Sequence, residues 1–79
     1  MSVLEVVGKI AVAVAKHFAG DDSMIAAVVR GAATVAEKWQ DGTLGDEAAL
    51  KQLAKLDAAV AKDRELAREE LRTKWGIVP

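Results

Sequence analysis

The chain has 79 residues, with eleven basic and twelve acidic side chains, one histidine and no cysteine. This length predicts a single domain, and the missing cysteine excludes disulfide bonds and thiolate metal sites. The net charge of −1 provides none of the basic excess that a partner such as bulk nucleic acid would require.

The composition favours helices throughout the chain. Hydrophobic residues make up 52% of the sequence, 16 of them are alanine, and there is one proline. Alanine-rich chains with few aromatic residues are typical of helical proteins. We therefore predict an all-α fold, in which an antiparallel helical hairpin packs on a long third helix. In this three-helix bundle the helices span about 2–19, 23–40 and 46–75, followed by an apolar tail at 76–79.

Helix 1 has two different apolar stripes. Ser2 and Glu5 have the spacing of a capping box at its start. Six residues recur at the helical period and form a broad apolar face: Val3, Val6, Val7, Ile10, Val14 and Phe18. Small residues form a second stripe at Gly8, Ala11, Ala15 and Ala19.

Helix 2 is predicted to end at Asp41-Gly42, a strong turn signal. The elbow that precedes helix 2 is short, so helices 1 and 2 are expected to be antiparallel neighbours. Gly8 and Gly31 each lower helix propensity relative to alanine. Close packing between the two helices would be a reason for these glycines.

Helix 3 is predicted to be too long for the hairpin to cover. Neither glycine nor proline interrupts the chain from Asp46 to Trp75, and such a helix would be about 45 Å long against about 27 Å for helices 1 and 2. Its C-terminal half should therefore overhang. The alternative is a break near 57–63 that folds the chain back into a four-helix bundle, but no turn residue supports a break there.

The overhanging half is the predicted interface. Nine of the thirteen residues from Lys62 to Lys74 are charged, and the remaining apolar stripe is typical of a coiled-coil seam or a groove-docking helix. Gly76 leaves a short apolar tail that either folds back on its own helix or inserts into another subunit. The predicted interface residues, with Trp75 as the expected anchor, are Leu66, Ala67, Leu71, Trp75, Ile77 and Val78.

These features predict a non-enzymatic structural or adaptor protein that self-associates or docks into a larger assembly, such as a viral particle or a secretion-type machine. A homo-oligomer or a protein assembly is the expected partner. No cofactor, metal or small-molecule substrate is expected, because the sequence lacks a convergent polar set. His17 is expected to be a helix-end residue partly in solvent, with Asp21 and Asp22 as weak candidates for a shared metal site.

Two alternatives stay open. Arg64, Arg68 and Arg72 lie four residues apart and form a stripe that could contact nucleic-acid phosphates. Five basic and four acidic residues from 62 to 74 favour a solvated helix with ion pairs instead.

The apolar hairpin at 3–36 could belong to a small membrane-active protein, although charges limit its longest uncharged run to seven residues. The start MSVLEVV lacks the basic region of a signal peptide, so we expect a location in the cytoplasm or within a particle.

Overall fold

A computed structural model describes residues 2–77, and over that range the chain forms four α-helices and no strand. α1 spans Val3–His17, α2 spans Asp22–Gln40, α3 spans Asp46–Val60 and α4 spans Arg64–Trp75. The Cα atoms of these residues extend over 33 × 22 × 17 Å. The prediction of an all-helical chain is confirmed for the described residues.

Side-chain caps begin both helices of the N-terminal hairpin. The Ser2 hydroxyl accepts a hydrogen bond from the backbone N–H of Glu5 at 3.2 Å. The Asp21 carboxylate accepts one from the backbone N–H of Met24, also at 3.2 Å. Each cap satisfies a donor that the first helical turn leaves without a partner, so the sequence itself defines where α1 and α2 begin.

The structure corrects the prediction of one long third helix. α3 ends at Val60, and α4 begins at Arg64 after a three-residue turn. Asp63 ends the helical path because its backbone is extended, with φ −59° and ψ 158°. Its carboxylate accepts hydrogen bonds from the backbone N–H groups two and three residues further on, which makes it the N-cap of α4. The chain folds back there, so the four-helix alternative is the observed arrangement.

Burial explains why the chain folds back at a site that lacks glycine and proline. Ala67 and Leu71 of α4 are fully buried in the fold. A continuous helix would leave them in water, whereas burying one leucine side chain is worth about 1.5–3 kcal/mol. Interrupting a helix for a few residues sacrifices at most about 0.7 kcal/mol of propensity per ordinary residue. The apolar stripe predicted to overhang is therefore buried within its own chain.

The core lies between the hairpin, α3 and α4. The predicted apolar face of α1 contributes to it, with Val6 and Val7 half-buried at its margin. No polar or charged side chain is buried among residues 2–77. The largest fully buried side chains are Phe18, Ile10, Met24, Leu53, Leu56, Leu71, Val3, Val14, Val28 and Val60.

The C-terminal tail folds back as far as it is described. Gly76 has φ 64°, a left-handed conformation that glycine adopts without strain. The N–H groups of Gly76 and Ile77 both donate to the carbonyl oxygen of Leu71, a typical helix end. A Cβ on Gly31 would lie 3.2 Å from Ile77 Cδ1, whereas a Cβ on Gly8 would have no described atom within 4 Å. Gly31 thus makes room for the tail, and neither glycine serves close packing of α1 on α2.

Candidate docking surface

Most of the predicted interface on the C-terminal segment lies inside the protein. Ala67 and Leu71 are fully buried, and Ile77 is only 8% exposed. Trp75 is half-buried and packs against the same core. Ala67, Leu71 and Ile77 therefore stabilise the fold of their own chain and offer no surface to another subunit, whereas Trp75 keeps part of its side chain exposed.

Leu66 is the most exposed of the predicted interface residues that the structure describes. Its side chain is 59% exposed, between the exposed Glu65 and the buried Ala67. A single exposed leucine is normal on a protein surface and needs no functional explanation. Val78, the remaining predicted interface residue, lies outside the described residues.

Hydrogen bonds fasten the start of α4 to the end of α1. Arg64 donates from Nε to the carbonyl oxygen of His17 and from Nη2 to that of Ala19, each at 3.0 Å. His17 in turn donates from Nε2 to the carbonyl oxygen of Lys62 at 2.5 Å. The last carbonyl oxygens of a helix lack hydrogen-bond donors within the helix. The Arg64 side chain provides donors to these carbonyl groups at the end of α1. The structure therefore places both side chains in contacts that hold the fold together.

Arg68 extends this connection to the start of α2 through an ion pair with Asp21. The hydrogen bond from Arg68 is the main reason why the pKa of Asp21 lies below its ordinary value of 3.8, and the N–H of Met24 lowers it further. The guanidinium carbons of Arg64 and Arg68 lie 5.8 and 5.5 Å from the centre of the Phe18 ring, within cation–π range. Together these contacts attach α4 to the α1–α2 turn.

Arg72, the third arginine of the predicted phosphate stripe, pairs with Glu69 on its own helix at 2.9 Å. Both side chains are largely exposed, where such pairs contribute little to stability. A phosphate would have to compete with intramolecular partners at Arg64, Arg68 and Arg72 alike. The alternative of nucleic-acid contact therefore gains no support from the arrangement of the stripe.

A groove of about 490 Å³ between α3 and α4 is also lined mainly by charged side chains. Lys62 Nζ and Lys74 Nζ lie 2.5 and 3.5 Å from the carboxylate oxygens of Glu70. The Lys62 hydrogen bond is the main reason why the pKa of Glu70 lies below its ordinary value of 4.5. Within residues 2–77, no three His, Asp or Glu side chains lie close enough together to bind a metal ion. The groove is lined by Lys55, Ala58, Lys62, Glu70, Lys74 and Trp75.

Helix α1 carries an uncharged face that points away from the core. At 3.6 residues per turn, five residues fall within an arc of about 100°. Two of its side chains protrude, since Leu4 is 53% and Val12 is 55% exposed. Gly8 and Ala15 are exposed as well, and Ala11 is half-buried. We call this surface the α1 outer face, and it consists of Leu4, Gly8, Ala11, Val12 and Ala15.

A depression and a charged border adjoin the α1 outer face. A shallow, open depression lies beside Gly8, which has no side chain. Its walls include Glu5, Lys9 and Lys16, which follow one another along the same side of α1. Protruding apolar side chains, a depression and a polar border are the features of a surface on which another helix packs.

Gly8, Ala11 and Ala15 belong to the stripe of small residues predicted from the sequence, whereas Leu4 and Val12 were not predicted to have a role. The signal in the sequence that could have identified Leu4 and Val12 is their angular position around the helix. Val12 lies about 160° from Ile10 in helical projection, and Ile10 is completely buried. One such residue would be normal on a protein surface, but Leu4 and Val12 together on one face of an amphipathic helix indicate a candidate contact surface.

None of the helices between residues 2 and 77 combines the length and the hydropathy of a membrane span. The α1 outer face is an exposed surface on a helix that packs against α2 and α3. The chain matches no protein-family model, no curated protein and no solved structure.

Proposed function

We propose that this chain is a non-enzymatic structural or adaptor protein that joins a protein assembly by burying the α1 outer face. The observation that supports it is the exposure of Leu4 and Val12, at 53% and 55%, on a face without charged residues. Contiguous exposed apolar surface marks interaction sites, whereas scattered single residues do not. Leu4 and Val12 lie about two helical turns apart on one side of α1, so they belong to one surface.

The docking surface in this proposal differs from the one that the sequence predicted. The C-terminal stripe is not available, because Ala67 and Leu71 are buried in the core of their own chain. α4 acts instead as a brace, because Arg64 and Arg68 bind the turn between α1 and α2. A braced hairpin presents the α1 outer face on a rigid element, which lowers the entropy cost of binding.

The residue types of the face favour a protein partner over a lipid surface. Three of its five residues are glycine or alanine: Gly8, Ala11 and Ala15. Interfacial membrane binding grows with the apolar area that enters the lipid, and small side chains offer little of it. Small side chains do let the axis of another helix come close, because the interaxial distance depends on the residues at the contact.

The test is the size of the complex that the protein forms in cells that produce it naturally. Wild-type protein, tagged and expressed at its natural level, is expected to elute from a size-exclusion column well above the mass of one chain. Val12→Asp should shift elution to that of a single chain, because it places a charge in the contact. Leu66→Asp is the matched control, since Leu66 is equally exposed but lies on α4.

Two results would contradict the proposal. One is wild-type protein that elutes as a single chain in the cell extract. The other is a large complex that Val12→Asp leaves unchanged, because the assembly would then use another surface. A complex that Leu66→Asp disrupts and Val12→Asp preserves would point to α4 instead.

A further inference from the structure

We infer that the α1 outer face binds a second copy of this chain, through an antiparallel contact of α1 with α1 around a two-fold axis. This inference rests on the proposed function and names its partner. A two-fold contact requires a surface that is complementary to itself. The α1 outer face meets this requirement in shape, and the charged border beside it meets the requirement in charge.

The shape of the face is complementary to itself in one register. With the two-fold axis at the level of Ile10, residues whose numbers add up to about 20 lie at the same level in the two helices. Val12 of each copy then lies against Gly8 of the other copy, so a protruding side chain meets the depression. Leu4 lies within one residue of Ala15 of the other copy, where the small side chain leaves room.

The charged border is complementary in the same register. Glu5 of each copy falls within one residue, or about 1.5 Å along the axis, of Lys16 of the other copy. Glu5 and Lys16 lie about 20° apart around α1. A two-fold axis perpendicular to the helices keeps the borders of both copies on the same side. Two Glu5–Lys16 pairs can therefore form in the antiparallel dimer, whereas a parallel dimer would place the borders on opposite sides and form neither.

The remaining charge of the border does not oppose this contact strongly. Lys9 falls within two residues of its counterpart in the other copy, and it is exposed. The lysine side chain is long and flexible, so the two ammonium groups can point away from each other into water. The net charge of −1 per chain also gives little overall repulsion between two copies.

The contact is expected to be weak and concentration-dependent. α1 has 15 residues, and one pair of such helices with small side chains buries less than the roughly 1,600 Å² of a standard interface. A dissociation constant of about 10–100 μM is therefore expected for the isolated chain. A larger assembly would strengthen it through additional contacts.

The experiment is sedimentation equilibrium of the purified full chain, from about 1 μM to about 1 mM. The wild type should pass from monomer to dimer over this range. Val12→Asp should raise the dissociation constant by at least about tenfold, while Leu66→Asp, the matched control on α4, should leave it unchanged. Gly8→Leu should also weaken the dimer by filling the depression.

Gly8→Leu separates docking from folding. A Cβ at Gly8 would meet no described atom within 4 Å, and leucine has a higher helix propensity than glycine. The melting temperature of the monomer should therefore rise while dimerisation weakens. A loss of dimer that accompanied unfolding would show a different pattern, with both quantities falling together.

A charge exchange tests the antiparallel register directly. Glu5→Lys and Lys16→Glu should each weaken the dimer several-fold, because each places like charges opposite one another in both pairs. An equimolar mixture of the two variants should form mixed dimers, and the double variant should dimerise like the wild type. A role of these side chains within the monomer would not produce this recovery.

Each outcome decides a different part of the inference. Wild-type chain that stays monomeric at every concentration overturns the second copy as the partner. If Val12→Asp still disrupts the complex in cell extracts, the docking function stands with another protein as partner. If Val12→Asp has no effect in either experiment, both proposals fail.

Dimers that weaken without recovery in the mixture overturn the antiparallel register. Wild-type flotation with phosphatidylcholine–phosphatidylserine vesicles that Val12→Asp abolishes overturns the second copy in favour of a lipid surface.

Discussion

Arg68 of α4 forms an ion pair with Asp21, the residue that caps the N-terminus of α2. The pair joins side chains 47 positions apart in the sequence. The Asp21 carboxylate therefore has two roles. It binds Arg68 of α4, and it caps α2 by accepting a hydrogen bond from the backbone N–H of Met24. One of the contacts that attach α4 to the hairpin therefore depends on the ionised form of a carboxyl group.

The first prediction is that Asp21→Asn removes part of the acid sensitivity of folding. The pKa of Asp21 is lowered in the folded state, mainly by the hydrogen bond from Arg68. A lowered folded-state pKa contributes stability above the ordinary value of 3.8, and this contribution is lost as the pH falls through the folded-state pKa. Asp21→Asn should be less stable than the wild type at neutral pH and should approach it in acid. Urea unfolding from about pH 7 to about pH 2 measures the difference.

Taking the difference between variant and wild type isolates Asp21 from the other acidic groups. Asp41 and Glu70 also have lowered pKa values, through hydrogen bonds from Thr43 and Lys62 respectively, so the wild type should lose stability in acid for several reasons. A constant difference between Asp21→Asn and the wild type over the whole pH range would contradict the role of the carboxylate charge.

The second prediction concerns Leu71, which the sequence suggested as an interface residue. Because its side chain is fully buried, Leu71→Ala should lower the free energy of unfolding by about 2–5 kcal/mol. Leu66→Ala on the same helix removes an exposed side chain and should change it by less than about 0.5 kcal/mol. Chemical denaturation of both variants measures this contrast. Equal stability of Leu71→Ala and the wild type would mean that α4 does not pack on the core.

The helices of the hairpin could be predicted from the sequence because their determinants are local. Apolar residues at the helical period and the Ser2 cap define α1, and the core face of α1 is the one that the period predicts. The turn at residues 61–63 could not be predicted in this way. Asp63 caps α4 in the structure, but aspartate also occurs inside helices, and burial of Leu71 in the folded chain decides between the two.

The candidate docking surface was predictable only in part, for a related reason. The stripe of small residues on α1 can be recognised in the sequence, but whether a side chain is exposed depends on the whole fold. Leu4 and Val12 become an exposed surface only because α2 and α3 pack on other sides of α1. In the same way, Arg64 and Arg68 form a basic stripe in sequence and structural contacts in the fold.

The third prediction compares the same substitution at two helical glycines. Gly8→Ala should raise the free energy of unfolding by about 0.5–1 kcal/mol, because the new methyl group meets no described atom within 4 Å. Gly31→Ala should gain less, because its Cβ would lie 3.2 Å from Ile77 Cδ1 and the tail would have to shift. Thermal unfolding of the two variants at low concentration, where we expect a monomer, tests this order.

A double variant identifies the cause of the difference. If crowding by Ile77 limits Gly31→Ala, then Gly31→Ala should gain more stability in an Ile77→Ala background than in the wild type. Equal gains at Gly31 in both backgrounds would show that the tail does not crowd this position. Gly8→Ala, which is remote from the tail in the structure, should gain the same in both.

The last prediction is that Asp63→Ala loosens the turn between α3 and α4 and favours exchange of α4 between copies. The substitution removes two hydrogen bonds to the first turn of α4, and loss of an N-cap costs about 0.5–2 kcal/mol. Alanine also favours a continuous helix from α3 into α4, which would carry α4 onto another copy as a domain-swapped dimer. Spin labels at Lys55 and Thr73 would be about 27 Å apart in the continuous helix and closer in the folded-back chain.

Asp57→Ala, an exposed position near the end of α3, is the control and should keep the short distance. Adding Val12→Asp removes the α1 contact, so a dimer that persists in Val12→Asp/Asp63→Ala arises from exchange of α4. A monomer with the short distance and unchanged stability would mean that burial of α4, without the Asp63 cap, is enough to hold the turn.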